Sequence, residues 1–121
     1  MRKILMAVSA GALLATAACG GGKSEGGLDR SIFVKSVEIG VISAFNKMCG
    51  AKRTSQYEQA YIESVRKTQP LTPAQEAEIQ GWMDRGDTQV EQRFDEAGRK
   101  KQCADYPANQ KVIDDGIAGN F

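Results

Sequence analysis

Three cysteines, no histidine and a scatter of carboxylates are what this chain of 121 residues offers to chemistry. Without imidazole there is no Ser-His or Cys-His nucleophile pair and no His metal ligand. Cys49 and Cys103 stand far apart, and no C-x-x-C is present, so neither a zinc knuckle nor a thioredoxin-like redox pair is expected. An isolated pair of cysteines in an oxidising compartment reads as a structural disulfide. A Cys49–Cys103 bond would close a loop of about 55 residues and contribute about 4 kcal/mol on the chain-entropy account. Asp84, Asp87 and Glu91 could line one helix edge, but a hard cation wants six or more oxygens, and a solvated helix face is the expectation. Asp114-Asp115-Gly116 has no ligand pattern around it and reads as a helix end. Arg85-Gly86-Asp87 matches a tripeptide of adhesion ligands, yet it falls inside a helical stripe. Arg99-Lys100-Lys101 suits the negative end of a helix dipole. Trp82 with Tyr57, Tyr61, Phe45 and Phe94 could line an apolar groove, but the same residues sit at core spacing. No catalytic residue, cofactor or metal site is expected.

The ends of the chain are more specific. Arg2 and Lys3 precede an apolar run from Ile4 to Ala18, 15 residues long. A membrane span needs about 20 residues, whereas a positive start, an apolar middle and small residues before a cut make a secretory signal. The run ends Thr16-Ala17-Ala18-Cys19. This stretch resembles the lipobox of bacterial lipoproteins, in which a small residue and then Gly or Ala precede the cysteine. Thr16 stands where that pattern has Leu. The resemblance covers about the first 27 residues. It implies cleavage before Cys19, acylation of that residue and anchoring in a lipid bilayer by two chains, a stable arrangement. Gly20 after the cysteine implies the outer membrane of a diderm cell, facing the periplasm. An ordinary signal peptide cut near Ala17 or Ala18 is the alternative, and it would release a soluble periplasmic product.

Three segments are therefore expected: a signal peptide at 1–18, a lipidated Cys19 with a flexible Gly-rich tether at 19–27, and a single helical domain at 28–121. The tether composition is that of a free coil. The whole chain carries 16 basic and 15 acidic residues. Such a balance gives no footprint for nucleic acid. From Leu28 onward only 19 of 94 residues are Leu, Ile, Val or Phe. A core that small often needs a staple, which Cys49 and Cys103 can supply.

The pattern along the domain is helical. A first helix is expected from about Asp29 or Ser31 to Cys49, with Val34, Val37, Val41, Phe45, Met48 and Cys49 on its inner stripe and Gly50 as its stop. A second should open with a Ser55/Glu58 capping box, bury Tyr57, Tyr61 and Val65, carry a Glu63–Lys67 pair, and end near Thr68 before Pro70. A third has the strongest start signal, Thr72-Pro73-Ala74-Gln75. Its stripe of Ile79, Trp82, Met83, Val90, Phe94 and Ala97 stays in phase across Gly86. That favours one helix continuing to about Cys103 over a break at Gly86 with Thr88 and Glu91 as a new box. Asp95–Arg99 and Glu96–Lys100 would then be surface pairs. A short last helix around Pro107 to Asp115 should precede a loose tail.

The expected fold is all-α: a small antiparallel bundle of three main helices plus a short C-terminal one, with one disulfide joining the ends of the first and third. The function that suits an addressed, tethered, stapled helical body is a non-enzymatic envelope lipoprotein with a protein partner or a structural role. A periplasmic chaperone-like or stress-response protein is the alternative, on architecture alone. A hydrolase working by two carboxylates is disfavoured, because so small a bundle rarely holds two acids across a cleft.

Overall fold

The computed structural model describes residues 22–121. The signal segment, Cys19 and the first glycines of the tether lie outside the described residues. Five helices follow one another: α1 Arg30–Met48, α2 Thr54–Thr68, α3 Pro73–Arg93, α4 Glu96–Asp105 and α5 Gln110–Ile117. Among the described residues the only β feature is an isolated bridge between Lys23 and Asp29.

The central contact is α1 on α3, the most extensive helix pair. Phe33 packs edge-on against Trp82, Gly40 faces Met83, and Lys47 approaches Asp87, so the two helices run roughly parallel. A Cβ on Gly40 would clash with the carbonyl oxygen of Met83 and stand 2.7 Å from its carbonyl carbon. A Cβ on Gly86 would clash with the Val37 carbonyl oxygen and stand 2.9 Å from the Val41 nitrogen. Only glycine lets two helix backbones approach so closely. Gly86 is thus a seam residue within a continuous helix rather than a break.

This seam corrects the expected face of α1. Val34 is half exposed, and Val37, Val41, Phe45 and Met48 are only half-buried. The fully buried positions are Ser36, Ile39, Gly40, Ser43, Ala44 and Asn46. At the closest approach of two helices small side chains win over large apolar ones. The polar members are satisfied: Ser36 Oγ donates to the Ile32 carbonyl at 2.6 Å, and Ser43 Oγ to Glu58 at 2.6 Å.

α2 returns antiparallel, with Glu58 near Ser43 and Gln80 and Arg66 near Glu76. Tyr57, Tyr61 and Val65 are buried as the spacing requires. The Ser55 capping box does not form. The N-cap is Arg53, in the left-handed region at φ 65°, with no side-chain cap. Glu58 is taken by Ser43 and Gln80 instead. Glu63 pairs with Arg66, not with Lys67, and Arg66 also reaches Glu76 at 2.7 Å, which ties α2 to α3. The Thr72 box forms in full: Gln75 N–H donates to Thr72 Oγ1 at 3.1 Å, and Thr72 N–H to Gln75 Oε1 at 2.9 Å.

The third helix stops at Arg93, ten residues short of Cys103. Phe94 turns extended, and Asp95 caps a new helix by accepting from the Gly98 N–H at 2.7 Å. Asp95 is therefore a cap rather than half of a surface pair with Arg99, and Glu96–Lys100 is likewise not among the ion pairs. Among the described residues the helices number five rather than four, because what looked like one long helix is two.

The C-terminal segment is not loose. Ile113 is fully buried and Gly116 sits against the ring of Tyr57. Phe121 folds back onto Tyr57 and Tyr61, with ring centroids 5.4 and 5.6 Å away. Gln110 grips the backbone of Lys52 from both sides, accepting its N–H at 2.7 Å and donating to its carbonyl at 2.9 Å. It also donates to Asp114, which pairs with Arg53 at 2.7 Å. The Gln110 bond, with Arg53 behind it, holds the Asp114 carboxyl below the usual carboxylate range.

Candidate functional site

Two local structures bear on function. The first is the stretch expected as free tether. From Lys23 onward it is docked. The Ser24 N–H donates to the Leu28 carbonyl at 2.7 Å, and Ser24 Oγ accepts the Leu28 N–H at 3.1 Å. The turn so formed lies on the start of α3: Ser24 Oγ donates to Glu78 at 2.9 Å, and Gln75 Nε2 to the Gly26 carbonyl at 2.7 Å. Leu28 then plugs the core with no exposed surface. Hydrogen bonds to polar side chains of α3 replace the water that would keep a glycine coil free.

The second is the far end of the bundle. The Cys49–Cys103 disulfide is formed, with Cα atoms 5.3 Å apart. It joins the end of α1 to α4, not to α3. α4 contains no buried residue and packs broadly on none of the other helices. Its attachments are the disulfide, the short link from Arg93, a 3.4 Å bond from Arg99 Nη2 to the Glu91 carbonyl, and the segment leading to α5, where the Asn109 N–H donates to buried Asn46 at 2.7 Å.

Between α4 and the C-terminal ends of α1 and α3 lies a half-open cavity of about 380 Å³. Ala44, Met48 and Val90 give it an apolar floor; Lys47, Asp87, Glu91 and Arg99 give it a charged rim. Lys47 Nζ stands 3.9 Å from Asp87 Oδ2. The other carboxylate oxygen, Asp87 Oδ1, is buried and has no hydrogen-bond partner among the described residues. α3 ends here without a backbone capping bond at Phe94.

The sequence motifs disperse over this frame. Arg85-Gly86-Asp87 is helical throughout: Arg85 lies over the Phe33 ring at 5.7 Å, Gly86 is in the seam, and Asp87 is in the cavity wall. Asp84 accepts from Gln80 and is not among the residues lining the cavity with Asp87 and Glu91. No group of three potential metal ligands occurs among the described residues. The aromatic residues make no common groove. Tyr57 and Tyr61 belong to the core, with the exposed Phe121 laid over them, while Trp82 pairs with Phe33. In the basic run, Arg99 reaches the cavity and Lys101 pairs with Asp105. Sequence reasoning placed Asp87 and Glu91 on one helix edge and Arg99 in a separate basic run. The turn at Phe94–Asp95 brings Arg99 to the other two.

Set against protein-family models, curated proteins and solved structures, the chain finds no match in any of the three. No described helix is long and apolar enough to cross a membrane.

Proposed function

We propose that the protein is a small non-enzymatic lipoprotein of a bacterial cell envelope, held in the outer membrane through acylated Cys19 and facing the periplasm. Its helical body, residues 28–121, serves as a protein-binding or structural module there. The observation that carries this is the run from Arg2 to Cys19, a positive start and an apolar middle ending Thr16-Ala17-Ala18-Cys19. The Cys49–Cys103 bond supports an oxidising compartment, because such a bond persists outside the cytosol. A chain without histidine, carrying a body held near a surface, suits binding at raised effective concentration more than turnover.

The test is an intact mass of protein purified from its own membranes, with thiols alkylated but nothing reduced. A chain beginning at Cys19, carrying acyl mass and no alkyl group, supports the anchor. An unacylated chain in the soluble fraction overturns it and leaves the periplasmic chaperone-like alternative in front. Cross-linking in cells that captures neither a partner nor a second copy counts against the binding role.

A further inference from the structure

We propose that the cavity at the C-terminal ends of α1 and α3 binds a small organic ammonium ion with a short aliphatic body. This is independent of the anchor at Cys19. The volume of about 380 Å³ falls at the small end of ligand pockets, which run from roughly 300 to 1,000 Å³. The floor of Ala44, Met48 and Val90 accepts an aliphatic body. The rim decides which head group goes with it.

Asp87 and Glu91 supply two negative charges, Lys47 and Arg99 two positive ones. The side chains alone balance. The backbone breaks the tie. α1 and α3 run parallel and both end here, each bringing about half a negative charge from its dipole, while the start of α4 returns about half a positive one. The sum is about half a net negative charge in a partly desolvated space. Hydrogen bonding points the same way. Asp87 Oδ1 is a buried acceptor without a donor among the described residues, which a turn of the carboxylate would bring to the cavity, and α3 ends with no backbone cap. The resident cations serve these acceptors poorly. Lys47 stops 3.9 Å from Asp87, and Arg99 makes one long bond, 3.4 Å, to the Glu91 carbonyl. An ammonium head brings three donors and no acceptor, which is what such a rim lacks. A carboxylate head would meet two acids and two negative helix ends.

The test uses the full disulfide-bonded protein and three probes of one shape: 3-methylbutylamine, 3-methylbutanol and 3-methylbutanoate. Backbone NMR shifts at Met48, Asp87, Val90 and Glu91 report occupancy. The amine should saturate in the low millimolar range, with the alcohol about ten-fold weaker and the carboxylate weaker still. Asp87→Asn, checked for fold by circular dichroism, should weaken the amine about ten-fold. Lys47→Met removes the competing resident ammonium and should tighten it. That change of sign keeps the test open if Asp87→Asn fails to fold. Equal binding of amine and alcohol, tighter binding of the carboxylate, no tightening in Lys47→Met, or no saturable shift at these residues would each overturn the proposal.

Discussion

Replacing Gly86 by alanine tests the seam between α1 and α3 most directly. In an open helix this change helps, since alanine is favoured over glycine by about 1 kcal/mol. Here the new Cβ would clash with the Val37 carbonyl oxygen and lie 2.9 Å from the Val41 nitrogen and 3.1 Å from the Gly40 carbonyl carbon. All three neighbours are backbone, so no side chain can swing aside. The helices must part by about 1 Å, the Val37 oxygen being the tightest contact, and a gap of that size forfeits about half of the dispersion energy across it. Ile39, Ala44, Met83 and Val90 all lie along this interface and are buried. Overpacking of this kind costs up to about 3 kcal/mol and occasionally more. With backbone on both sides we take about 4, and after the helix-propensity gain the net loss is about 3 kcal/mol. At about 4–8 °C per kcal/mol for a domain of this size, Tm should fall by about 12–24 °C. Gly81→Ala, in the same helix, is the internal control: its Cβ would meet nothing within 4 Å, and the variant should gain up to about 1 kcal/mol. Thermal unfolding followed by circular dichroism measures both. A Gly86→Ala protein as stable as Gly81→Ala would refute the close approach and the parallel seam with it.

Four other outcomes are expected. The Cys49→Ser/Cys103→Ser double variant should lose about 4 kcal/mol, for a chain separation of 54 residues. Hydrogen exchange should show protection vanishing over Glu96–Asp105 while α1 and α3 keep theirs, because α4 has no burial of its own. Gln75→Ala removes both half of the capping box and the grip on Gly26, so stability should drop by about 1 kcal/mol and trypsin should cut faster after Lys23. Burial, with Glu38 as a smaller contribution, lifts the Tyr57 phenol from 10.0 to about 12. The unfolded chain loses that proton from pH 10 while the folded one keeps it. The stabilisation is thus whole below pH 10 and is lost as pH rises towards 12. Tyr57→Phe should flatten that part of the alkaline unfolding curve.

Helix positions were legible wherever the signal was local. Thr72-Pro73-x-Gln75 specifies a helix start through bonds among four neighbouring residues, and the structure forms them all. Gly50 at φ 99° and the Gln69-Pro70 boundary are equally local. Ser55 and Glu58 had the same spacing as Thr72 and Gln75, but Glu58 is drawn away by Ser43 and Gln80, two partners remote in sequence. The inner face of α1 was hidden for a different reason. Hydropathy selects the valines, whereas close packing selects Gly40 and Ala44 against α3 and Ser36 and Ser43 against α2 by size, and a one-dimensional pattern does not reveal which criterion applies. The in-phase spacing of Phe94 and Ala97 imitated continuity. Asp95 three residues before Gly98 was the available sign of a new cap, masked by its equal fitness as a partner for Arg99. With that turn went the cavity, whose walls come from both sides of it.

The docked turn at Lys23–Leu28 changes what a lipid on Cys19 would do to the body. Four chain steps separate Cys19 from Lys23, a reach of about 14 Å at full extension. α3, with 21 residues, is about 32 Å long. A leash under half the length of the body it holds permits tilt but not inversion. The starts of α1 and α3 would then be kept beside the head groups. The disulfide, α4 and the cavity at Asp87 would be carried outward by the length of the bundle. With that lipid in place the protein would be a post with a fixed foot and a fixed tip, and anything approaching from the aqueous side would meet the α4 end first.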